Sequence, residues 1–493
     1  MRQALHILRK DVRHLWIEMA VVLVCTILLV FTDTSESYWL AKSPLPHNVA
    51  SMLVTYLLPV SWWVLIVRAI HAEALVGDRE FWPTRPYAWP SLLGAKALLV
   101  ALFINLPMLA GQMVILRANG FPLAGEAAGL LWNQALITVV FLLPVAVAAA
   151  LTTGMVQFLL VGLVAFVSLL LLSMRFLLFA SAIVGGGWPA MEWIHVYYSL
   201  LVIALAGVAM LFWQYAQRRT LAGRLAAGAV VLVLAMGAPV SWDTAFAIQS
   251  HFGSRAIDPS AIRAGFYQDF QWMTRALIER EHRVSLHIPL ELAGVPSGLT
   301  AKPEAAAFTI EGPAGAIWRA DEEPYGHVTS TGQMTALRTT VDEAFYQRVK
   351  DQPVSLRGTV YLTLYGNRQV TQVPFTGSRM DVPGLGRCSA TGGSGAPYFL
   401  VCNAAMRPPA DLVSVRFEQA ARDADSYGPI RRVSYSPFPA VLSLNPLTPH
   451  ISYSTYKGQL ESATVSALDP VAFVRAPIAI DGLRLGGYEA RLK

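Results

Sequence analysis

Few residues of this chain have the type and spacing that chemistry needs. No G-x-x-x-x-G-K-[ST] run occurs, so ATP hydrolysis through a P-loop is closed to it. The histidines form no H-E-x-x-H pattern and the cysteines no C-x-x-C. His282 and His287 meet at an expected helix–strand junction, a poor spacing for one metal, and read as exposed histidines. Gly392-Gly393-Ser394-Gly395-Ala396 has only a loose likeness to a nucleophile elbow. It lacks a strand–turn–helix context and reads as a flexible loop. Carboxylates are plentiful after residue 246, but no pattern selects a pair for acid–base work. No catalytic, cofactor-binding or metal-ligating residue is expected, and the chain does not read as an enzyme.

The cysteines offer one covalent possibility. Cys25 lies in an apolar run and reads as inert. Cys388 and Cys402 bracket the Gly/Ser-rich loop. Outside the cytoplasm they could join in a disulfide worth about 3 kcal/mol for a loop of this size. Inside it they would be two unrelated thiols.

Composition shows what must position these groups. Hydrophobic residues make up 54% of the chain and the mean hydropathy is +0.46, too high for an ordinary soluble protein. Residues 1–246 hold 14 Lys/Arg and 10 Asp/Glu, whereas residues 247–493 hold 24 and 22. The chain therefore divides into an apolar first half and a water-soluble second half. The net charge of +6 comes mainly from arginines beside apolar runs. It reads as membrane orientation, with membrane lipid as a partner and no nucleic acid.

Residues 1–14 read as an amphipathic surface helix, with Leu5, Leu8 and Val12 on one side. The following apolar run lacks an A-x-A-like cleavage site and is expected to be retained. Spans of about 20 apolar residues are expected near 15–32, 49–70, 92–115, 129–151, 155–175, 195–214 and 225–246. The stretch 176–192 suits a re-entrant or surface-lying piece. The expected fold class is thus a polytopic α-helical membrane domain of about seven helices, or six, over residues 15–246. Glu18, Arg68 and Asp243 lie near span ends, where snorkelling accounts for them.

Eleven basic residues flank one side of these spans, and only Lys42, Arg117 and Arg175 the other. This places the N-terminus in the cytoplasm. With seven spans, the second half lies outside; with six, it would lie inside. Asp258-Pro259 followed by Ile262, Phe266, Phe270, Met273 and Leu277 predicts an amphipathic helix over 259–281, within a connector at 247–282. Residues 283–493 read as a mainly-β, sandwich-like soluble domain. Its alternating runs begin at Val284, Val354 and Val413, and a short helix is expected at 340–350.

One polar, proline-broken loop interrupts the apolar half, from Glu73 to Lys96. Asp78, Arg79, Glu80 and Arg85 offer both signs of charge, the prolines stiffen it, and Trp82, Tyr87 and Trp89 suit a lipid interface. From these residues alone an ordinary positive-inside loop with an aromatic belt is the favoured reading, with a coupling loop the alternative.

Residues 1–220 carry a resemblance. Lys10-Asp11-Val12-Arg13 and Trp16, two spans, then Gly77-Asp78-Arg79-Glu80-Phe81-Trp82-Pro83-Thr84-Arg85-Pro86 and Leu92-Leu93-Gly94-Ala95-Lys96 resemble the permease subunit of ABC-2-type exporters. The resemblance implies six spans after a surface helix, and dimerisation with a like or different permease subunit. It also implies a separate ABC ATPase touching the loop at Gly77, Asp78, Arg79, Glu80, Trp82, Arg85 and Pro86. The expected location is the bacterial cytoplasmic (inner) membrane, with the C-terminal domain extracytoplasmic. A seventh span and a long outer domain depart from that family's minimal pattern. The alternative is a membrane-anchored extracytoplasmic binding, assembly or sensor protein whose β domain is the working part.

Overall fold

The structure, a computed structural model, describes residues 2–33, 45–72, 88–164, 192–236, 241–267, 283–322, 334–383, 385–393, 396–406, 412–419, 431–432, 444–455 and 460–487. A helical half leads into a mainly-β half.

Helix α1 (Arg2–His14) buries Ala4, Ile7, Leu8 and Asp11. Leu5 is on the other side and exposed. Of the expected face, Leu8 is buried and Val12 packs against the core, so only Leu5 departs, and Asp11, which a polarity pattern puts outside, is on the inner side. Among the described residues, five helices are long and apolar enough to cross a membrane: α2 (Trp16–Asp33), Leu53–His71 of α3 (Leu45–His71), α4 (Trp89–Ala118), α5 (Leu123–Ala150) and Val196–Gln217 of α7 (Glu192–Gln217). Two shorter apolar helices are α6 (Met155–Val164) and α8 (Thr220–Met236). One core, with Trp62, Leu65, Leu99 and Ile104 fully buried, joins α1 to α5 and reaches Tyr215 of α7.

Helices α4 and α5 each contain one π-helical turn, at Ala101–Asn105 and Thr138–Leu142. Each is followed directly by Leu-Pro, at Pro107 and Pro144. A proline ring clashes with the carbonyl four residues before it, and widening that turn relieves the clash without breaking the helix.

Contacts fix the directions of these helices. Ala149, Leu151 and Thr152 at the end of α5 meet His71 at the end of α3 and Arg224 at the start of α8. Helix α1 packs beside the start of α4 at the same end. The α4–α5 turn at Asn119 lies at the opposite end, against Arg387 of the β half.

The second half departs from expectation at its beginning. The span expected at 225–246 ends as helix α8 at Met236, and a separate helix, α9 (Trp242–Ser250), follows. The Ser241 side chain caps α9 by accepting from Thr244 N. Phe246 of α9 packs on Ala305, Tyr361 and Phe473 of the sheet, so these residues belong with the β half. The helix expected at 259–281 is also not formed where it can be seen. Asp258 caps only a single 3-10 turn, Pro259–Ala261, before strand β1 (Arg263–Phe266). Ala264 there pairs with Leu292 on one side and Ile478 on the other, so sheet pairing overrides the local helical spacing. Residues 268–282 lie outside the described residues.

Strands β2 (Arg283–Ala293), β3 (Thr300–Glu311), β4 (Ile317–Glu322), β5 (Met334–Asp342), β6 (Val354–Pro374), β10 (Leu412–Gln419), β11 (Arg431–Arg432) and β13 (Leu460–Leu483) join β1 in one sheet. Its main order is β4-β3-β6-β13-β1-β2-β5, and the edge strands β4 and β5 approach each other. Leu286, Ile288, Leu356, Leu362 and Ile478 fill its core, which Phe345 and Val349 of α10 (Glu343–Val349) cover. A second sheet, ordered β12-β9-β8-β7, consists of β7 (Arg379–Val382), β8 (Gly386–Gly393), β9 (Ala396–Ala405) and β12 (Leu447–Thr455). It packs through Leu400, Cys388 and Cys402 against Val373, Ala463 and Val465, the far ends of β6 and β13. Two lobes thus share one pair of long strands, whose register shifts between Ala467 and Ala472. This is compatible with a sandwich-like arrangement in the second lobe.

Candidate functional site

At the α1 end of the helical half, charged and polar side chains tie the helix ends together. Lys96 Nζ donates to Asp11 Oδ2 at 2.6 Å, and the two side chains are 7% and 2% exposed. The pair joins α1 to the second turn of α4. Ala88 N, at the start of α4, reaches Gln3 Oε1 of α1 at 3.4 Å. His71 Nε2 lies 3.1 Å from both Ala149 O and Thr152 Oγ1. Arg224 closes the set by donating to Leu151 O through Nε and Nη2, at 3.2 and 3.0 Å.

The loop residues Gly77, Asp78, Arg79, Glu80, Trp82, Arg85 and Pro86 lie outside the described residues. Both residues that flank their stretch, Ala72 and Ala88, belong to this tied end. Glu18 and Arg68, each read as reaching an interface alone, instead pair with each other across α2 and α3. Asp243 is in α9, 3.7 Å from Arg475 of β13.

A cavity of about 210 Å³ lies above the Lys96 pair, between α3, α4, α5 and α7. Ile66, Leu99, Leu143 and Leu211 make it apolar, and Asn105 and Thr138, one from each π-helical turn, supply its polar wall. Asn105 Nδ2 donates to Thr138 Oγ1 at 3.0 Å, and Thr138 donates to Gln134 O at 2.8 Å. One helical stretch further along, Gln134 Nε2 donates to Gln112 Oε1 at 2.9 Å, and Gln112 Nε2 donates to Leu444 O at 3.1 Å. A polar seam thus runs between α4 and α5 from the cavity to a segment of the β half.

That segment is part of a wider contact. Leu444 packs on the helical core, and Met406, Ala405 and Leu447 pack on Ile115, Leu116 and Leu130. Arg387 donates to Asn119 O at 2.8 Å over Gly120, where any side chain would collide with the guanidinium. On the other side Ile194 and Tyr197 of α7 meet Ala245 and Trp242 of α9.

No family model, curated protein or solved structure matches this chain. The site must be read from its own geometry.

Cys388 and Cys402 face each other on β8 and β9 and are joined by a disulfide, with Cα atoms 4.0 Å apart. Gly393 pairs with Ala396 in the same ladder, so the stretch around Ser394 connects two strands and does not lead from strand to helix. Among the described residues no group of three or more His, Cys, Asp or Glu could hold a metal ion. The described residues set His71 beside the Thr152 hydroxyl, which donates to Ala148 O of its own helix. What they assemble is a tied helix end, an apolar cavity and a docked β half.

Asp11, Lys96, Asn105, Gln112 and Thr138 carry this arrangement; Asp11 and Lys96 stood only within the segments that carry the resemblance, unpaired with each other, and the other three were not singled out. A usable signal existed in the spacing of Asn105 and Gln112, seven apart, and Gln134 and Thr138, four apart, within apolar helices. Each set lies on one helix face.

Proposed function

We propose that the helical half is the membrane-embedded, permease-like subunit of an ATP-driven exporter, powered by a separate ATPase subunit. The observation that carries this reading is the buried Asp11–Lys96 pair. It locks a surface helix to α4 directly beside the loop that would meet the ATPase. A push on residues 77–86 would then move α1 and α4 as one body, because breaking a buried pair is strongly unfavourable.

The spans number seven in this reading. Helices α5 and α7 both run toward the tied end, and this reading counts α6 as a crossing between them. Helix α8 makes the seventh crossing. The basic α1 end faces the cytoplasm of a bacterial inner membrane, and the β half, with its disulfide, lies in the oxidising space beyond. Two permease subunits, alike or different, would form the transporter.

The test is to purify the chain with candidate ATPases in lipid nanodiscs and measure stimulated ATP hydrolysis. Stimulation is expected, and it should fall in an Asp78→Lys, Glu80→Lys double variant. Unchanged stimulation in that variant would remove the loop's role.

A second reading is favoured by the separate cores of the β lobes. Here the outer domain is the working part, a binding, assembly or sensor module held at the membrane. Failure of every ATPase to co-purify, together with ligand capture by the intact chain, would select it. A C-terminal reporter active only in the cytoplasm would overturn the outer placement in both.

A further inference from the structure

The tied end of the helical half carries more positive charge than its own carboxylates balance. Among the described residues there, the carboxylates are Asp11 and Glu18, and both are engaged, with Lys96 and Arg68. Arg9 and Arg13 of α1 are exposed, and neither has a hydrogen-bond or ion-pair partner among the described residues. Four residues apart, they stand on one side of the helix with Cβ atoms about 6 Å from each other. Like charges so placed repel and weaken the helix. Asp11 lies between them in the chain but is turned inward onto α4. An anion held between the two guanidinium groups removes the repulsion.

The surroundings of the pair place that anion in a lipid surface. Ala4, Ile7 and Leu8, the apolar stripe of α1, are spent on the protein core, so the arginine side faces away from it. Two large apolar side chains are left bare beside the pair, Leu5 four residues before Arg9 and Trp16 seven after it. Leu15 N donates to Asp11 O and Met19 N to Leu15 O, which carries the helical path across the bend at Leu15. Leu5, Arg9 and Trp16 therefore share one side. A basic pair with exposed Leu and Trp on its flanks marks a boundary with lipid and not with water.

Depth agrees. Trp16 opens the first apolar helix that is long enough to cross a membrane. At 1.5 Å per residue, Arg13 and Arg9 lie no more than about 5 and 11 Å from it, however α1 is inclined. The headgroup layer is about 5–7 Å deep on each face of a bilayer, and a long arginine side chain covers the remainder. A zwitterionic headgroup brings its own cation to its phosphate. Two unbalanced guanidinium groups therefore favour a headgroup of net negative charge.

We propose that Arg9 and Arg13 clamp the phosphate of an anionic phospholipid in the leaflet at the tied end, each guanidinium donating through its planar fork. The clamp rests on the membrane placement of the helical half and not on transport or an ATPase.

The full chain is placed in nanodiscs of equal parts phosphatidylcholine and phosphatidylglycerol, and lipids retained after transfer to detergent are counted by native mass spectrometry. Phosphatidylglycerol should be retained in preference. That preference should fall about fivefold in Arg9→Gln with Arg13→Gln, the ratio an arginine at an anionic surface supplies. It should fall less than twofold in Arg218→Gln with Arg219→Gln, which removes the same charge elsewhere at that end. In phosphatidylcholine alone the α1 double variant should melt no lower than the parent, because no anion there relieves the pair. Should that variant not fold, Arg9→Gln and Arg13→Gln singly decide, each losing about twofold. An inserted parent with no lipid preference, or equal losses in the two double variants, would overturn the clamp alone. Undiminished preference in the α1 variant with reduced ATPase stimulation would assign the pair to a protein partner and overturn it too. A parent that does not enter nanodiscs would overturn the membrane reading and the clamp with it.

Discussion

The two halves of this chain are dressed in opposite ways. The helical half shows Phe31, Tyr56, Leu159, Leu205 and Leu232 to its surroundings and keeps Asp11, Lys96, Gln112, Asn133 and Gln134 inside. In the β half, Ile248, Phe252, Ile317 and Val370 are the large apolar side chains exposed among the described residues. Its interior is Leu, Ile and Val. The difference teaches where each half finds its specificity. In the proposed membrane setting, a surface rich in Leu has little to gain by burying more Leu, so packing and polar pairing would choose the helix partners. The β half can rely on apolar burial, at about 25 cal/mol per Å².

The largest test of this contrast is the buried ion pair. Lys96→Met or Asp11→Asn alone should cost about 3–5 kcal/mol, because either leaves a charge or its partner stranded inside. The double variant Asp11→Leu, Lys96→Met should recover much of that, as read by thermal denaturation in nanodiscs. Two singles with no effect would mean the helical half does not depend on interior polarity. Next, Leu205→Lys and Val370→Lys compare the two surfaces directly. At the middle of a span the first should cost about 3 kcal/mol and reduce membrane-inserted protein, whereas the second should stay within about 0.5 kcal/mol. Equal tolerance would break the contrast.

The disulfide comes third. Cys388→Ser with Cys402→Ser should lower the stability of the second β lobe by about 3 kcal/mol, and limited proteolysis should begin there. Gln112→Leu should cost about 1–2 kcal/mol and speed hydrogen exchange at residues 444–447 by breaking the seam between the halves. The smallest effect belongs to the exposed Arg357–Asp481 pair. Hydrogen bonds from Ser355 and Arg357 hold the Asp481 carboxyl below its usual range. A lowered folded value means the contribution is complete above about pH 4 and fades as pH falls further. Between pH 8 and 5, Asp481→Asn should therefore shift the β half by the same small amount throughout.

Sequence legibility followed the range of the interaction. The apolar runs behind α2, α3, α4, α5 and α7 could be read because twenty consecutive residues report one solvent. The strands at Val284, Val354 and Val413 were visible through period-two alternation. Arg263–Phe266 was not, because its strand identity comes from Ile478, more than 200 residues away. The break between α8 and α9 was hidden because Trp242 and Phe246 look like a span's last turn until Tyr361 is beside them. Asp11–Lys96 is the clearest case. Each residue sits in a plausible surface position, and only an 85-residue separation brought to 2.6 Å makes them a site. The two π-helical turns were within reach of the sequence, since both precede a Leu-Pro in an apolar helix.

The seam at Gln112 also sets an order of birth. The acceptor of its hydrogen bond, Leu444, is 332 residues further along the chain. Helices α1–α10 are made before it, and so are strands β1–β11. Strand β13, which lies between β6 and β1 and carries β10 along its first half, is later still. A ribosome therefore makes the elements that join the two halves after the elements they join. The helices wait with a groove unfilled, the sheet waits without its middle strand, and residues 444–447 and β13 close the two in turn. A truncation there would remove a small fraction of the mass and leave neither half complete.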